Sequence, residues 1–168
     1  MTPLQARAAA ARLVLPEGAA FCRGTTAWLL GIDARPPGRH GELPDIECVV
    51  PIGRAPIRRT GLRCYEADLR ADDPLEISGL PCTSPARTAI DLARWTAPGM
   101  GLGSLDAMAR AGLVVTEDLL ERVERWRGDR FVGQARRLIQ WCDPLAESYG
   151  ESWLRLRVLE PGIRRRRW

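Results

Sequence analysis

The character of the sequence changes at Ser84-Pro85, and this change constrains the fold more than any other feature. Serine followed by proline is a typical helix start, because the hydroxyl caps the first turn and proline is tolerated at the first helical position. Before this point the chain favours short strands, and after it apolar residues recur at helical spacing. We therefore predict an α+β fold: a small, mainly antiparallel sheet with flanking helices, followed by a helical C-terminal half.

The part before Ser84 holds the predicted strands, separated by glycine- and proline-rich turns. Threonines at the start of its second helix are natural N-caps. The elements predicted here are helices over 4–15 and 25–30, strands over 19–22, 45–51 and 62–69, and a hairpin over 75–83 that turns at Gly79.

The part after Ser84 is predicted to be helical, with an interruption at 98–103, where one proline and three glycines break the pattern. We divide the chain into three regions, 1–97, 98–142 and 143–168. The predicted helices are 85–95, 104–111, 116–127, 130–142 and 147–159.

Composition excludes several classes of protein. All 25 basic residues are arginine and the formal net charge is +4, a usage typical of GC-rich genomes. The N-terminal alanine run is interrupted by arginine and no stretch reaches 18 uncharged apolar residues, so we expect neither a signal peptide nor a membrane span. A cytoplasmic location is the resulting expectation.

Cysteine and histidine usage argues against a metal or cofactor site. The five cysteines are odd in number and none has CxxC spacing, and the single histidine, His40, lies in a loop rich in proline and glycine. Zinc sites need several such ligands at fixed spacing. We expect free cysteines that act as small apolar residues, with no metal and no cofactor.

Four arginines are grouped over the connection between the second and third predicted strands and the start of the third. They are Arg54, Arg58, Arg59 and Arg63, and the prolines and glycines around them indicate an exposed loop. Clustered exposed arginines can neutralise phosphates, so DNA or partner binding is one interpretation. A solvated surface is the other, and the basic tail 164–167 is open to the same two interpretations.

The start of the helix after Ser84 also has two interpretations. Arg87 near a helix N-terminus could bind an anionic ligand. The structural interpretation has Ser84 capping the helix while Arg87 pairs with Asp91 four residues later. We favour the structural roles for Ser84, Arg87 and Asp91.

Tryptophans on the predicted helices are expected to be mostly core residues. Trp126 and Trp153 have charged neighbours. Because exposed tryptophan is favoured at interface hot spots, these two are candidate partner-binding residues.

Several runs of the chain form a recognisable set: TTAWLLGID at 25–33, the strand 46–51, the basic segment 53–63 and, most specifically, CTSPARTAIDLA at 82–93. This set resembles the AbiE-type antitoxin-like transcriptional regulators of actinobacteria or their phages. The run from DPLAES to ESWLR, over 143–155, is similar to the entry helix of the Vsr-like endonuclease domain that such regulators often carry.

The resemblance implies a non-enzymatic regulatory protein of a toxin–antitoxin or phage-defence system. Its partner would be a nucleotidyltransferase-type toxin, another host or phage protein, or DNA. Such regulators usually begin with a winged helix-turn-helix, whereas here a single helix precedes the first strand, which favours protein binding over operator binding. With this resemblance, we interpret the three regions as an antitoxin-like core (1–97), a helical extension (98–142) and a truncated nuclease-like entry helix with a basic tail (143–168).

No complete catalytic site is expected. A metal-dependent nuclease clusters several carboxylates with a lysine. Glu147 and Glu151 share a helix face, but the chain has no lysine, so a solvated acidic face that pairs with Arg155 is the plainer interpretation. The alternative function is the N-terminal fragment of a Vsr-like DNA endonuclease that is inactive alone.

Overall fold

Six strands form one sheet in the computed structural model, which describes residues 3–35 and 43–160. The order of the strands in the sheet is β3-β4-β2-β1-β6-β5. The strands are β1 (Ala20–Phe21), β2 (Ile46–Pro51), β3 (Arg58–Arg59), β4 (Leu62–Ala67), β5 (Pro74–Ile77) and β6 (Leu80–Thr83).

The α+β class is confirmed, and the sheet is mixed and not purely antiparallel. Strands β2 and β4 run parallel over their whole length, as do β1 and β6, whereas β1–β2, β3–β4 and β5–β6 are antiparallel. The reason is the short strand β3, which the sequence did not reveal. A tight turn joins β3 to β4, and β4 inserts between β3 and β2 in the direction of β2.

One face of the sheet packs against helices α1 (Pro3–Arg12) and α2 (Arg23–Leu29). Leu4, Phe21 and Val50 are fully buried there, and Cys48 and Cys82 fill the space between them as free thiols. Burial raises the pKa of the Cys82 thiol to about 11, because a thiolate is unfavourable in apolar surroundings. The cysteines of this face therefore act as small apolar core residues.

Helix α2 begins two residues before its predicted start. Thr25 and Thr26 are buried within the helix and are not its N-caps. The Thr25 hydroxyl instead accepts a hydrogen bond of 2.8 Å from the Glu47 N–H of β2. Thr25 thus joins the helix to the sheet, a role that local capping preferences do not reveal.

The predicted hairpin at Gly79 is confirmed. Ser78 and Gly79 both have positive φ, 51° and 79°, between β5 and β6. Two residues of positive φ form the type I′ turn, whose twist matches that of the strands it joins.

Helices dominate from Ser84 onward. The described residues fall into two compact units, which divide between Thr88 and Ala89 within α3, and the predicted boundaries at 97 and 142 stay predictions. Among the described residues no helix has the length and apolarity needed to cross a membrane. The helices are α3 (Pro85–Trp95), α4 (Pro98–Arg110), α5 (Thr116–Val123), a 3-10 turn (Glu124–Trp126), α6 (Val132–Gln140) and α7 (Tyr149–Leu159).

The predicted interruption at 98–103 is wrong, because α4 begins at Pro98. Proline occupies the first helical turn, where its missing N–H has no partner to lose. The glycines that follow lower helix propensity, yet they allow close packing. The Trp153 ring of α7 lies against Gly99, and the Tyr149 ring lies against Gly103.

Alanine at Gly103 is expected to destabilise the protein by about 1–3 kcal/mol, because its Cβ would overlap the Tyr149 ring. The matched control is Gly133→Ala in α6, where an added Cβ meets no atom within 4 Å. That change is expected to raise stability by about 0.5–1 kcal/mol. Urea denaturation of both variants measures the difference, and equal effects would contradict the close α4–α7 packing.

Candidate functional site

A cluster of exposed arginines lies at the β3 edge of the sheet. We call Arg54, Arg58, Arg59 and Arg63 the arginine edge, and all four side chains are exposed. Arg58 of β3 lies directly opposite Arg63 of β4, and residues opposed in this way have their Cβ atoms about 5 Å apart. The predicted basic loop is thus partly a β-hairpin, which holds two guanidinium groups on one face of the sheet.

The turns that flank β3 explain how this edge forms. Gly61 has φ +77° in the turn between β3 and β4, and Gly53 has φ +87° after β2. The left-handed conformation favours glycine at both places. The Gly53 N–H also donates to the Glu66 carboxylate of β4 at 2.7 Å, which ties the turn after β2 to the strand beside it.

Positive charge is in excess at the arginine edge. Arg63 pairs with Asp45 at 2.8 Å, and this hydrogen bond raises the pKa of the arginine above its ordinary value. Arg54, Arg58 and Arg59 form no ion pair with any described residue. Opposed like charges destabilise a strand pair, so a bound anion would offset a repulsion that is built into the hairpin.

A cavity of about 350 Å³ borders the arginine edge, because Arg63, a member of that edge, also lines the cavity. Trp28 and Glu47 form much of its wall. The Arg35 guanidinium lies 4.3 Å from the Trp28 ring centre and pairs with Asp33 at 2.6 Å. The charged groups of the wall therefore already have partners within the protein, which is typical of a structural role.

Glu47 is held between α2 and β4. Its carboxylate accepts hydrogen bonds from the Gly24 N–H at 2.9 Å and from the Tyr65 hydroxyl at 3.0 Å. Burial, together with the Glu47 charge, raises the pKa of Tyr65 to about 12. The phenol is therefore protonated at neutral pH and acts as a hydrogen-bond donor.

The residues predicted to be structural lie at the start of α3. The Ser84 hydroxyl accepts the Arg87 N–H at 3.3 Å, the geometry of an N-cap. The Arg87 guanidinium is buried and pairs with Asp73 at 2.8 Å, and it also donates to the Asp68 carbonyl at 2.8 Å. The pairing of Arg87 with Asp91 stays a prediction.

Trp126 and Trp153 have different environments. Trp126 is 7% exposed, and the Arg94 and Arg125 guanidinium groups lie over its ring at 5.3 and 4.0 Å. The predicted partner-binding role of Trp126 required an exposed ring, and the structure shows that the ring is buried. Trp153 is 53% exposed on α7, and its partner-binding role stays a prediction.

The expected pairing of Arg155 with Glu147 and Glu151 is wrong. Arg155 pairs instead with the buried carboxylate of Asp106 in α4, which also accepts the Ser152 hydroxyl. Glu151 accepts the Glu147 N–H while its own N–H donates to Ser148, a capping box at the start of α7.

Sequence reasoning missed the two buried aspartates, Asp73 and Asp106, as partners of arginine. Asp106 lies in the middle of a buried helical segment, where an isolated acidic residue signals a buried ion pair. Among the described residues no group of three or more histidine, cysteine or acidic side chains could hold a metal ion. His40 and the basic tail 164–167 lie outside the described residues.

Comparisons with known proteins give one family match. The family described as AbiEi antitoxin C-terminal domain matches residues 19–141. Uncharacterized proteins of two Mycobacterium tuberculosis strains, H37Rv and CDC 1551 / Oshkosh, are each 30% identical over 161 residues. These matches cover 95% of this chain but only 56% of each relative's length. No solved structure matches the chain.

Replacing Arg87 by methionine is expected to lower the free energy of unfolding by about 3–5 kcal/mol, because Asp73 would keep a buried charge without its partner. The double variant Arg87→Met/Asp73→Leu should recover part of this loss, since both charges of this ion pair are then removed. Arg70→Met is the control, because Arg70 pairs with Asp68 at the surface, where ion pairs contribute at most about 1 kcal/mol. Chemical denaturation measures all three, and equal effects of Arg87→Met and Arg70→Met would refute the role of the buried pair.

Proposed function

The chain belongs to the AbiEi antitoxin C-terminal domain family, and on this basis we propose that it is a regulatory protein of a toxin–antitoxin system that acts by binding and not by catalysis. The family match supports the regulatory role. The proposal extends the match to a mode of action, which is recognition of an anionic partner by the arginine edge. DNA is the partner that this geometry supports best.

The opposition of Arg58 and Arg63 across β3 and β4 carries the proposal. Two guanidinium groups held on one face can contact neighbouring phosphates, and guanidinium is a planar donor suited to phosphate oxygens. Arg54 and Arg59 extend the positive surface and have no ion pair with described residues. Phosphate contacts of this kind bind DNA with little sequence selection and depend strongly on salt.

Several acidic residues are engaged in contacts within the protein, which supports binding over catalysis. The buried carboxylates of Asp73 and Asp106 are each engaged by an arginine. Glu47 accepts one hydrogen bond from α2 and one from β4. The Glu151 carboxylate accepts the Glu147 N–H and the hydroxyl of Ser148, the N-cap of α7. These contacts give each carboxylate a structural role within its own unit.

The regulated partner is proposed to be a nucleotidyltransferase-type toxin, in a system that acts in phage defence. The mycobacterial relatives support an actinobacterial setting for such a system. Because the chain spans 56% of each relative's length, activities of the longer proteins enter this proposal only where the described residues support them.

Removing arginines from the edge is expected to weaken DNA binding and its dependence on salt. The variant Arg58→Gln/Arg63→Gln, which changes the opposed pair on one face, should lower the slope of log K against log salt by about two, since each phosphate contact contributes about one. Fluorescence anisotropy with a labelled random-sequence duplex measures the slope. The charge-matched control is Arg70→Gln/Arg137→Gln, whose arginines are also exposed. Equal slopes for the two variants would show that net charge alone attracts DNA.

Supercoiled plasmid incubated with the purified chain and Mg²⁺ is expected to stay intact. Agarose gel electrophoresis detects nicking, and Glu151→Gln is the informative variant because Glu151 lies in the segment that resembles a nuclease. Cleavage that disappears in Glu151→Gln would replace the binding proposal with the endonuclease alternative.

A further inference from the structure

Two aromatic side chains form a half-exposed pair in the second unit. Trp95 ends α3 and Phe131 precedes α6, and they are 41% and 44% exposed. Their ring centres are 5.3 Å apart with an interplanar angle of 81°, an edge-to-face contact. This geometry is favourable between rings, but it leaves apolar surface in water that a partner could cover.

The backbone that presents Phe131 is strained and firmly held. Phe131 has φ +62°, a left-handed conformation that bulky residues avoid. The buried Arg94 side chain donates to the Arg130 carbonyl at 3.1 Å, and the Gln134 amide donates to two carbonyls at the end of α3 at 2.9 Å. Strain that is held in this way occurs at functional sites, where a rigid surface lowers the entropy cost of binding.

Positive charge surrounds the aromatic pair. The segment 122–136 contains five arginines and two acidic residues, a net charge of +3. Both acidic residues form ion pairs with arginines, Glu124 with Arg136 and Asp129 with Arg94. The turn before Phe131 exposes Arg127 and Arg130, and the Arg130 guanidinium lies 5.0 Å from the Phe131 ring centre.

We propose that Trp95, Arg127, Arg130 and Phe131, which we call the aromatic–arginine patch, form a docking site for an acidic, leucine-containing segment of a protein partner. Tryptophan and arginine are the residues most enriched at binding hot spots. Complementary charge selects an acidic partner and speeds its association. The aromatic–arginine patch lies in the second unit, whereas the arginine edge lies in the first.

The ring contacts favour a protein over a nucleic acid. Stacking of successive bases requires open ring faces. Arg130 covers the Phe131 ring, Arg94 lies 5.3 Å from the Trp95 ring centre, and the edge-to-face contact occupies a further face. Too little free face remains for a run of bases, whereas apolar side chains can pack against ring edges.

The test uses a fluorescein-labelled peptide made of glutamate and leucine at helical spacing, titrated with the full chain and followed by anisotropy. Binding is expected to be at least about tenfold weaker for Phe131→Asn and for Arg130→Glu, a loss typical of hot-spot residues. Asparagine tolerates the left-handed backbone, so Phe131→Asn removes the ring and keeps the turn. The control is Arg137→Glu, which changes an exposed arginine within α6. It should weaken binding less than Arg130→Glu does.

Two further probes separate the alternatives. Replacing every glutamate of the peptide by glutamine should abolish binding, because the proposed contact needs the charge. A labelled oligothymidine should bind no more weakly to Phe131→Asn than to the unchanged protein. The proposal is overturned if the acidic peptide does not bind, if Arg137→Glu acts like Arg130→Glu, or if the ring is needed for oligothymidine but not for the peptide.

Discussion

The buried ion pair between Arg87 and Asp73 is the interaction on which the first unit depends. Besides pairing with Arg87, the Asp73 carboxylate accepts the Arg70 N–H, and the Asp73 carbonyl accepts the Ser84 N–H at 2.6 Å. One aspartate therefore joins the chain after β4, the start of β5 and the end of β6 to the first turn of α3. Loss of either residue would leave the other buried without this ion pair, which is far costlier than losing a surface pair.

The second unit also contains a buried aspartate that pairs with an arginine. Asp106 in α4 is 1% exposed and receives Arg155 and Ser152 of α7, as well as the Asp143 N–H. Arginine suits both places because its planar group can donate to two acceptors at once. Arg87 donates to the Asp73 carboxylate and the Asp68 carbonyl, and Arg155 pairs with the carboxylates of Asp106 and Asp143. Burial divides the described arginines into two groups. Some, such as Arg87, are paired inside the protein, and others, such as those of the arginine edge, are exposed and form the surface that we propose contacts an anionic partner.

The sequence predicts the features that local chemistry determines. The helix start at Ser84-Pro85, the turn at Gly79 and the strand 46–51 follow from capping, left-handed glycine and β-branched content. Pairings between distant segments were not predictable. The parallel alignment of β2 with β4 depends on a two-residue strand, and the helix at Pro98 depends on rings of α7 that fit against its glycines.

For the candidate sites, too, features set by local sequence could be predicted and contacts between distant residues could not. The spacing in the sequence was enough to predict that the four arginines of the arginine edge cluster. The opposition of Arg58 to Arg63 depends on how β3 is aligned with β4, which the sequence does not show. Neighbouring charges wrongly suggested that Trp126 is exposed, because the arginines beside it cover its ring. Trp95 was expected in the core, but it lies at the end of α3, where it is exposed and its ring contacts Phe131.

The central claim is that buried arginines hold the structure while the arginine edge contacts the anionic partner. A nitrogen-15 NMR titration of the arginine Nε–H signals with duplex DNA tests this division residue by residue. The account predicts that the signals of Arg54, Arg58 and Arg59 shift while those of Arg87 and Arg155 stay in place. Shifts spread evenly over all arginines, or confined to those outside the arginine edge, would contradict it.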